Sequence, residues 1–403
     1  MQNAISGAML LLKLASLYFL VVALFALKKP KPIPRANPNM RFACVIAARN
    51  EERVIGGLIE SLLRQTYPKA LFDIYVMPNN CTDHTALAAI RAGAQVLRPE
   101  GEIRCKGDAL HEVFETLLKK DYDAFCVFDA DNFVDPAFLS RMNDAFCAGA
   151  KAAKGAMRVK NPEDSPLCAC YGLYFTCFDF FFSRARMNCG LSSKLVGTGF
   201  AVHRSVLEKS HGWNSVTIAE DAEFAAYLAE TGTRVWFVPE AVTYDEAPTS
   251  VLVSLRQRRR WSSGVMDVAQ ARLGGLACGV FDEGGLRALD MLLMLTQPFC
   301  QVTSFFLGCA LVLTQPDAAR AMLLLLGFAG GFFVMTIFAC LLSKIQGGRY
   351  NWRAILLFPL FMASWLPLNL VSLLFRTRVW REIEHGKSNL PAVKRQLFQK
   401  AEF

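Results

Sequence analysis

The sequence predicts an α/β fold: an open, largely parallel sheet domain joined to a bilayer by an N-terminal transmembrane helix and a C-terminal helical membrane domain. Three observations predict it. Mean hydropathy is positive, yet the stretch from about 42 to 250 has ordinary soluble composition. The apolar excess sits in four runs, 7–27, 288–313, 319–343 and 354–375, each long enough to cross a hydrocarbon core of about 30 Å as a helix. Within the soluble stretch, short apolar runs alternate with amphipathic ones, the pattern of strand, turn and helix. The layout predicted is an anchor over 1–30, a cytosolic domain over 40–250, amphipathic interfacial helices over 251–287, transmembrane helices over 288–376 and a basic tail over 377–403.

The first run reads as an anchor rather than a cleaved signal peptide. Its basic residues, Lys28, Lys29, Lys31, Arg35 and Arg41, follow the apolar stretch instead of preceding it, which marks a cytosolic flank. Lys13 lies within the run near its outer end, where its stem can snorkel to the interface.

In the soluble stretch, Arg41 to Ala47 reads as a buried strand, followed by a polar turn at Arg49–Glu52 and a helix carrying Val54, Ile55, Leu58, Leu62 and Leu63. A second strand, Phe72 to Met77, ends in the turn Pro78–Asp83, after which Ala86–Ala92 is helical; Gln95–Leu97 and Ala124–Phe128 supply further short strands. Ligands of such sheets bind in the crevice beyond the carboxyl ends of the strands. The arginine-rich helix Ser254–Ala271 interleaves Leu252, Leu255, Trp261, Val265 and Val268 with its charges, a pattern suited to the membrane interface.

The C-terminal topology is left open. Lys344–Arg353 and Arg376 to Lys387 are both basic, so both belong on the cytosolic side, yet one full span between them would separate them. Pro359 and Pro367 allow a broken or re-entrant helix; three full spans with an external tail is the alternative.

Composition narrows the function classes. The 13 cysteines are scattered and odd in number, which reads as reduced thiols facing the cytosol; Cys168 and Cys170 lack a second close pair for zinc. The net charge of +9 gathers beside the membrane runs and around 256–260. It fits anionic headgroups or phosphate, and no interleaved aromatic platform points to nucleic acid.

Three clusters carry chemistry. Asp129 and Asp131 lie two positions apart where an apolar strand ends. Alone, such a pair also fits a solvated turn, but at a strand's carboxyl end it faces the crevice, and hard oxygen ligands suit Mg²⁺ or Mn²⁺. Glu220 and Asp221 precede the helix Ala222–Glu230; they suit a helix N-terminus, and Asp221 is the candidate base for an acceptor hydroxyl, which must lose its proton to become a nucleophile. In Gln257–Trp261, the residues Gln257, Arg260 and Trp261 share a helical face. Arg260 could clamp a departing diphosphate while the indole offers a plate to a sugar ring; the outer arginines also fit a membrane surface.

With these motifs in order the chain resembles the membrane-bound family 2 glycosyltransferases, the group containing cellulose, chitin, hyaluronan and poly-N-acetylglucosamine synthases, over nearly all of its length. The resemblance rests on Ala48-Arg49-Asn50-Glu51-Glu52, Asn80-Cys81-Thr82-Asp83, Lys106-Gly107-Asp108-Ala109-Leu110, Asp129 with Asp131, Gly197-Thr198-Gly199-Phe200, Glu220-Asp221 and Gln257 with Arg260-Trp261. It implies a Rossmann-like type A domain and a uridine diphosphate sugar as donor. Ala48, Asn50, Glu52, Asn79, Asp83 and Lys106 would line the donor pocket. Asp131 would hold the metal with Asp129 beside the donor; Gly197, Thr198, Gly199 and Phe200 would shape the acceptor subsite together with Glu220, Gln257 and Trp261. Asp221 would be the base, and a single displacement would invert the anomeric centre. The chain departs from the pattern at Asn79, where many relatives carry aspartate, and at Ala219, where a threonine is usual. His385 echoes a family tail segment.

The resemblance also implies a multi-pass protein of the cell membrane with its catalytic domain in the cytosol. Its partners would be a nucleotide sugar, a carbohydrate or lipid-linked acceptor, the bilayer, and an accessory or secretion protein. Processive polysaccharide synthesis leads; single transfer to a lipid acceptor follows, then an inactive membrane scaffold. A transporter is disfavoured because the membrane runs lack midplane carboxylates other than Asp290 near one end.

Overall fold

In the computed structural model, which describes residues 2–313, 316–348 and 350–377, the soluble domain is built on one eight-stranded sheet. Its strands are β1 (Phe42–Ala48), β2 (Phe72–Pro78), β3 (Gln95–Val96), β4 (Ala124–Asp129), β5 (Phe133–Val134), β6 (Ala152–Val159), β7 (Phe200–His203) and β8 (Val235–Asp245), in the order β3-β2-β1-β4-β7-β6-β8-β5. Strands β3, β2, β1 and β4 are parallel, as the strand-turn-helix pattern requires, but β7 runs antiparallel to both β4 and β6, and β5 antiparallel to β8. The sheet is therefore mixed. The reversal is local: Gly197 and Gly199 adopt positive φ (41° and 64°), and the N–H of Gly199 donates to Val127 O at 2.8 Å, which turns the chain back beside β4.

Both faces of the sheet are covered, so its central strands are continuously apolar. Along β1 the side chains alternate: Ala43 and Val45 join one core with Val113, Phe114 and Phe224, whereas Phe42, Cys44 and Ile46 join the other with Leu58, Leu62 and Phe138. Helices Lys106–Leu117 and Glu220–Glu230 supply the first core, and Ile55–Leu63 and Phe138–Cys147 the second.

Among the described residues, four helices are long and apolar enough to cross a membrane: Met9–Leu27, Gly285–Ala310, Asp317–Ile345 and Trp352–Leu374. The last is broken at Ser364 into Trp352–Ala363 and Trp365–Leu374. The break fits Pro367, which has no N–H for the Ala363 carbonyl four residues back and whose ring crowds it, whereas Pro359 stays inside the first half. The tail and His385 lie outside the described residues.

A helical layer absent from the sequence reading lies between the sheet and these spans. Helix Pro166–Cys177 begins at a Ser165 cap, whose hydroxyl accepts from Cys168 N at 3.1 Å, and its Cys170, Tyr171, Leu173 and Phe175 pack with Ala339, Leu342, Phe358 and Phe361 of the spans. It continues as a π-helix, Phe178–Arg184, then Ala185–Cys189, and ends at Gly190 with φ 84°. Arg186 pairs with Asp290 at 2.8 Å, both buried, and Tyr18 donates to the same carboxylate at 2.8 Å. That triad ties the first span, this layer and the second span together.

The arginine-rich helix extends over Val251–Gly279. It buries Ser254, Arg258, Ser262, Ser263, Gly264, Met266 and Val268 between Glu220–Glu230 on one side and the second and last spans on the other. Small residues permit the close approach: a Cβ at Gly264 would lie 2.7 Å from that of Ala219.

Candidate active site

Strand β4 ends at Asp129 on the wall of a cavity of about 1150 Å³ that runs from the carboxyl ends of β1, β2 and β4 to the membrane helices. Lys106, the first residue of its helix, donates to Asp129 Oδ1 at 2.5 Å and to Gly197 O at 2.6 Å, with Glu220 Oε1 at 3.6 Å. Burial works against the charge of Lys106, but Asp129 and Glu220 outweigh it and raise its pKa. Burial pushes Glu220 up to about 7, against the pull of Lys106.

Asp221 sits in the first turn of its helix, accepting from Gly197 N and, at 2.7 Å, from Ala222 N. Thr198 links the two loops: its hydroxyl accepts from Asp129 N at 3.0 Å and donates to Asn132 Oδ1. The Asn132 amide nitrogen then donates to Asp131 Oδ1 at 3.3 Å and to Asp245 Oδ1 at 3.1 Å. Asp245, at the carboxyl end of β8, is half-buried; desolvation first, then the charges of Asp131 and Asp129, raise its pKa. Beside it Lys160 donates to Asp131 O at 2.8 Å and pairs with Glu246 at 2.7 Å.

Among the described residues, no three carboxylate, histidine or cysteine side chains converge into a closed metal cage. Asp129, Asp131 and Asp245 are instead an open set of hard oxygen donors at one end of the cavity. That suits Mg²⁺ or Mn²⁺ completed by water and ligand oxygens.

Towards the carboxyl ends of β1 and β2 the cavity is lined by Ala47, Arg49, Glu51, Asn79, Arg104 and Lys106. Ala48 points into the opposite core. Asn50 and Asn80 take the left-handed conformation, with φ 56° and 47°, and Asn50 Oδ1 accepts from Thr82 N at 2.8 Å. Glu52 N donates to Asp83 Oδ2 at 3.1 Å, and Glu52 Oε2 accepts from His84 N at 3.1 Å. So Asn50, Glu52 and Asp83 knit the two turns together behind the wall that Arg49, Glu51 and Asn79 form.

Gln257, Arg260 and Trp261 all face the cavity, as do Gly197, Thr198, Glu220 and Asp221, whereas Gly199 and Phe200 are buried behind them. The three arginines diverge. Arg258 is buried and donates to Phe361 O at 3.0 Å and Ser364 Oγ at 2.6 Å, while Arg259 donates to Phe375 O at 2.9 Å. Arg260 makes no hydrogen bond or ion pair among the described residues. Trp261 lies edge-on to Tyr171 and stacks on Trp365 at 6.4 Å, and Trp365 stacks on Tyr174 at 5.8 Å.

Sequence reasoning missed Asp245, Asn132, Lys154, Lys160, Tyr174 and Trp365. A signal for Asp245 existed: Asp245-Glu246 closes an apolar run just as Asp129 closes β4.

Comparison with known proteins adds lineage to this geometry. A probable glycosyltransferase, YdaM, of Bacillus subtilis (strain 168) is 29% identical over 248 residues, 58% of this chain and 58% of its own length. A beta-monoglucosyldiacylglycerol synthase of Synechocystis sp. is 28% identical over 237 residues, covering 56% of this chain and 48% of its own. A UDP-forming cellulose synthase of Dictyostelium discoideum is 26% identical over 216 residues, 51% of this chain and 19% of its own. The chain thus spans about half the length, or less, of the curated relatives it matches. The mannosyltransferase PcManGT from Pyrobaculum calidifontis, solved with GDP-Man and Mn²⁺, superposes with a TM-score of 0.59 at 19% identity, over 93% of this chain and 96% of that one. Its likeness bears out the Rossmann-like type A fold. The profile described as "Glycosyltransferase like family 2" matches residues 38–264, from the approach to β1 through Trp261 and thus more than half of the chain, which therefore belongs to that family.

Proposed function

We propose that this chain catalyses inverting transfer of a hexose from a nucleotide sugar, a uridine diphosphate sugar, to a lipid acceptor held where the cavity meets the bilayer. One observation carries the acceptor: the cavity that holds Asp221 and Arg260 continues along Phe178, Phe181, Phe182, Met291 and Met294, an apolar wall reaching the first and second spans. An aqueous acceptor has no use for that wall; an acyl or prenyl chain does.

Asp221 takes the proton of the acceptor hydroxyl as its oxygen bonds to the anomeric carbon and the bond from that carbon to the diphosphate breaks. Attack from the face opposite the leaving group inverts the centre. Arg260, unpaired among the described residues, offers a planar fork to the departing diphosphate. Asp131, with Asp129 and Asp245 beside it, would hold Mg²⁺ or Mn²⁺, which when bound neutralises charge growing on that diphosphate. Lys106 fixes Asp129 and the Gly197 carbonyl in one place, so the donor loop and acceptor loop keep their spacing. The catalytic domain faces the cytosol, where nucleotide sugars are made, and the four apolar helices lie in the cell membrane.

A second reading, processive synthesis of a β-linked polysaccharide, has an observation of its own. Tyr174, Trp365 and Trp261 form a row of rings with Gln297, Gln301 and Asn369 on the same cavity, and Trp365 Nε1–H is buried without an acceptor among the described residues. Rings flanked by amides suit pyranose units. A panel of nucleotide sugars, read by release of nucleotide diphosphate, identifies the donor. Sizing the products at limiting acceptor then separates the readings: one added sugar per lipid supports the first, and long chains beside untouched acceptor refute it.

A further inference from the structure

We infer that the acceptor carries a phosphate group beside the hydroxyl that is glycosylated, and that Lys154 and Lys194 bind it. This rests on the lipid-acceptor reading and names the headgroup class.

Lys154 projects from β6 opposite Phe200 of β7, at the level of the Gly197–Phe200 segment. It is 4% exposed, and its Nζ makes a single hydrogen bond among the described residues, to Gly155 O at 3.1 Å. Lys194 lies three residues before Gly197; its Nζ stands 5.6 Å above the Phe178 ring and has no hydrogen bond or ion pair among the described residues. Both line the cavity. Three other cavity cations are matched, Lys106 with Asp129, Arg104 with Asp108 and Arg186 with Asp290, and Arg260 is left to the departing diphosphate. A buried ammonium without a carboxylate in contact is costly, so the fold keeps it only where something else supplies the counter-charge. Burial pushes Lys154 down to about 8 and lowers Lys194, although Asp221 opposes the shift in both, as do Asp179, Asp245 and Asp129 at Lys154.

Position selects the acceptor's phosphate over the donor's. The donor side of the cavity is built by the ends of β1, β2 and β4 with Lys106, whereas Lys154 stands on β6, between β7 and β8. Lys194 rests on Phe178, where the apolar wall begins. An anion held by both lysines would leave its attached chain on that wall and its free hydroxyl near Asp221. Chemically this is a glycerophospholipid whose headgroup has a free hydroxyl. That hydroxyl gives its proton to Asp221, its oxygen bonds to the anomeric carbon, and nucleoside diphosphate leaves.

The test uses the full chain in nanodiscs with the donor the panel identifies. Phosphatidylglycerol, diacylglycerol with the same acyl chains, and an oligosaccharide are offered to wild type, Lys154→Met and Lys194→Met. The expected result is a KM for phosphatidylglycerol about tenfold or more below that for diacylglycerol. In each variant that KM should rise by about tenfold, as for a lost charge-assisted contact, with donor KM and nucleotide-diphosphate affinity unchanged. A rise in donor KM instead assigns the lysines to the donor's diphosphate and overturns the inference. Equal use of diacylglycerol, unaffected by the variants, overturns it while leaving the lipid acceptor standing. Elongation of the oligosaccharide with neither lipid used removes the lipid reading itself.

Discussion

Lys154→Met should stabilise the protein, by an amount that depends on pH. In the folded chain burial lowers the lysine from 10.5 to about 8. Between those values the unfolded chain holds a proton that the folded chain has released, so stability rises with pH through that window, and below about 8 the folded state carries the whole penalty. At pH 7 the gap corresponds to about 3 kcal/mol. Methionine removes the penalty and sacrifices the bond to Gly155 O, which is worth about 1 kcal/mol, so the net gain is about 2 kcal/mol. Near pH 9.5 the penalty falls to about half its value, and most of the gain disappears. Thermal unfolding of the ligand-free protein in detergent, followed by near-ultraviolet circular dichroism at both pH values, reads this directly. For a domain of this size each kcal/mol moves Tm by about 2–4 °C. A Tm that is unchanged or lowered at pH 7, or a gain of equal size at both, would refute the burial argument. A gain together with a weakened acceptor KM is the trade expected of a cation kept for function at the cost of stability.

Asp221→Asn keeps the shape that accepts from Gly197 N but cannot take a proton; turnover should fall about 10²–10⁴-fold, with donor affinity unchanged by calorimetry. Arg260→Lys should impair turnover severely, because the ammonium loses the two-pronged grip on phosphate; Arg259→Lys should alter turnover little, its partner being the Phe375 carbonyl. Equal losses at the two positions would undo the separation of their roles. Asp245→Asn should weaken Mn²⁺ binding by about tenfold, measured by electron paramagnetic resonance without donor, and Asp131→Ala should weaken it further; affinity unchanged in Asp245→Asn would remove that residue from the cation's surroundings.

The parts legible in the sequence are those where one period or one neighbour decides the outcome. β1, β2 and β4 lie buried on both faces, so their apolar runs stand out, and Asp129 follows directly from where the third of them ends. β7 and β6 escaped because Phe200–His203 is only four residues and its antiparallel place depends on two positive-φ glycines rather than on a pattern. At the end of β1 the faces alternate in a way the motif does not show: Ala47, Arg49 and Glu51 reach the cavity while Ala48 enters the opposite core and Asn50 turns to Thr82. In a strand a shift of one residue changes the face. The helix Pro166–Cys177 left no clear trace because it is apolar on all sides, with no amphipathic stripe to read. It packs against spans on one side and forms the cavity wall on the other.

The run Gln257–Trp261 turns its three arginines to three different surroundings. Successive residues on a helix point about 100° apart, so three adjacent arginines must face three directions. Arg258 enters the break of the last span, where it meets the Phe361 carbonyl and Ser364 and lies 4.3 Å from the centre of the Phe361 ring. A broken helix in a membrane leaves backbone groups that need protein partners, and this guanidinium is one of them. Arg259 holds the end of that span at Phe375. With two arginines committed to the span, the third, Arg260, is held on the cavity face by a helix that cannot rotate without breaking both anchors. The same break sets Trp365 against Trp261. Membrane helices and catalytic domain are therefore one mechanical unit, and a change in the last span should reach turnover through Arg260 before it reaches the sheet.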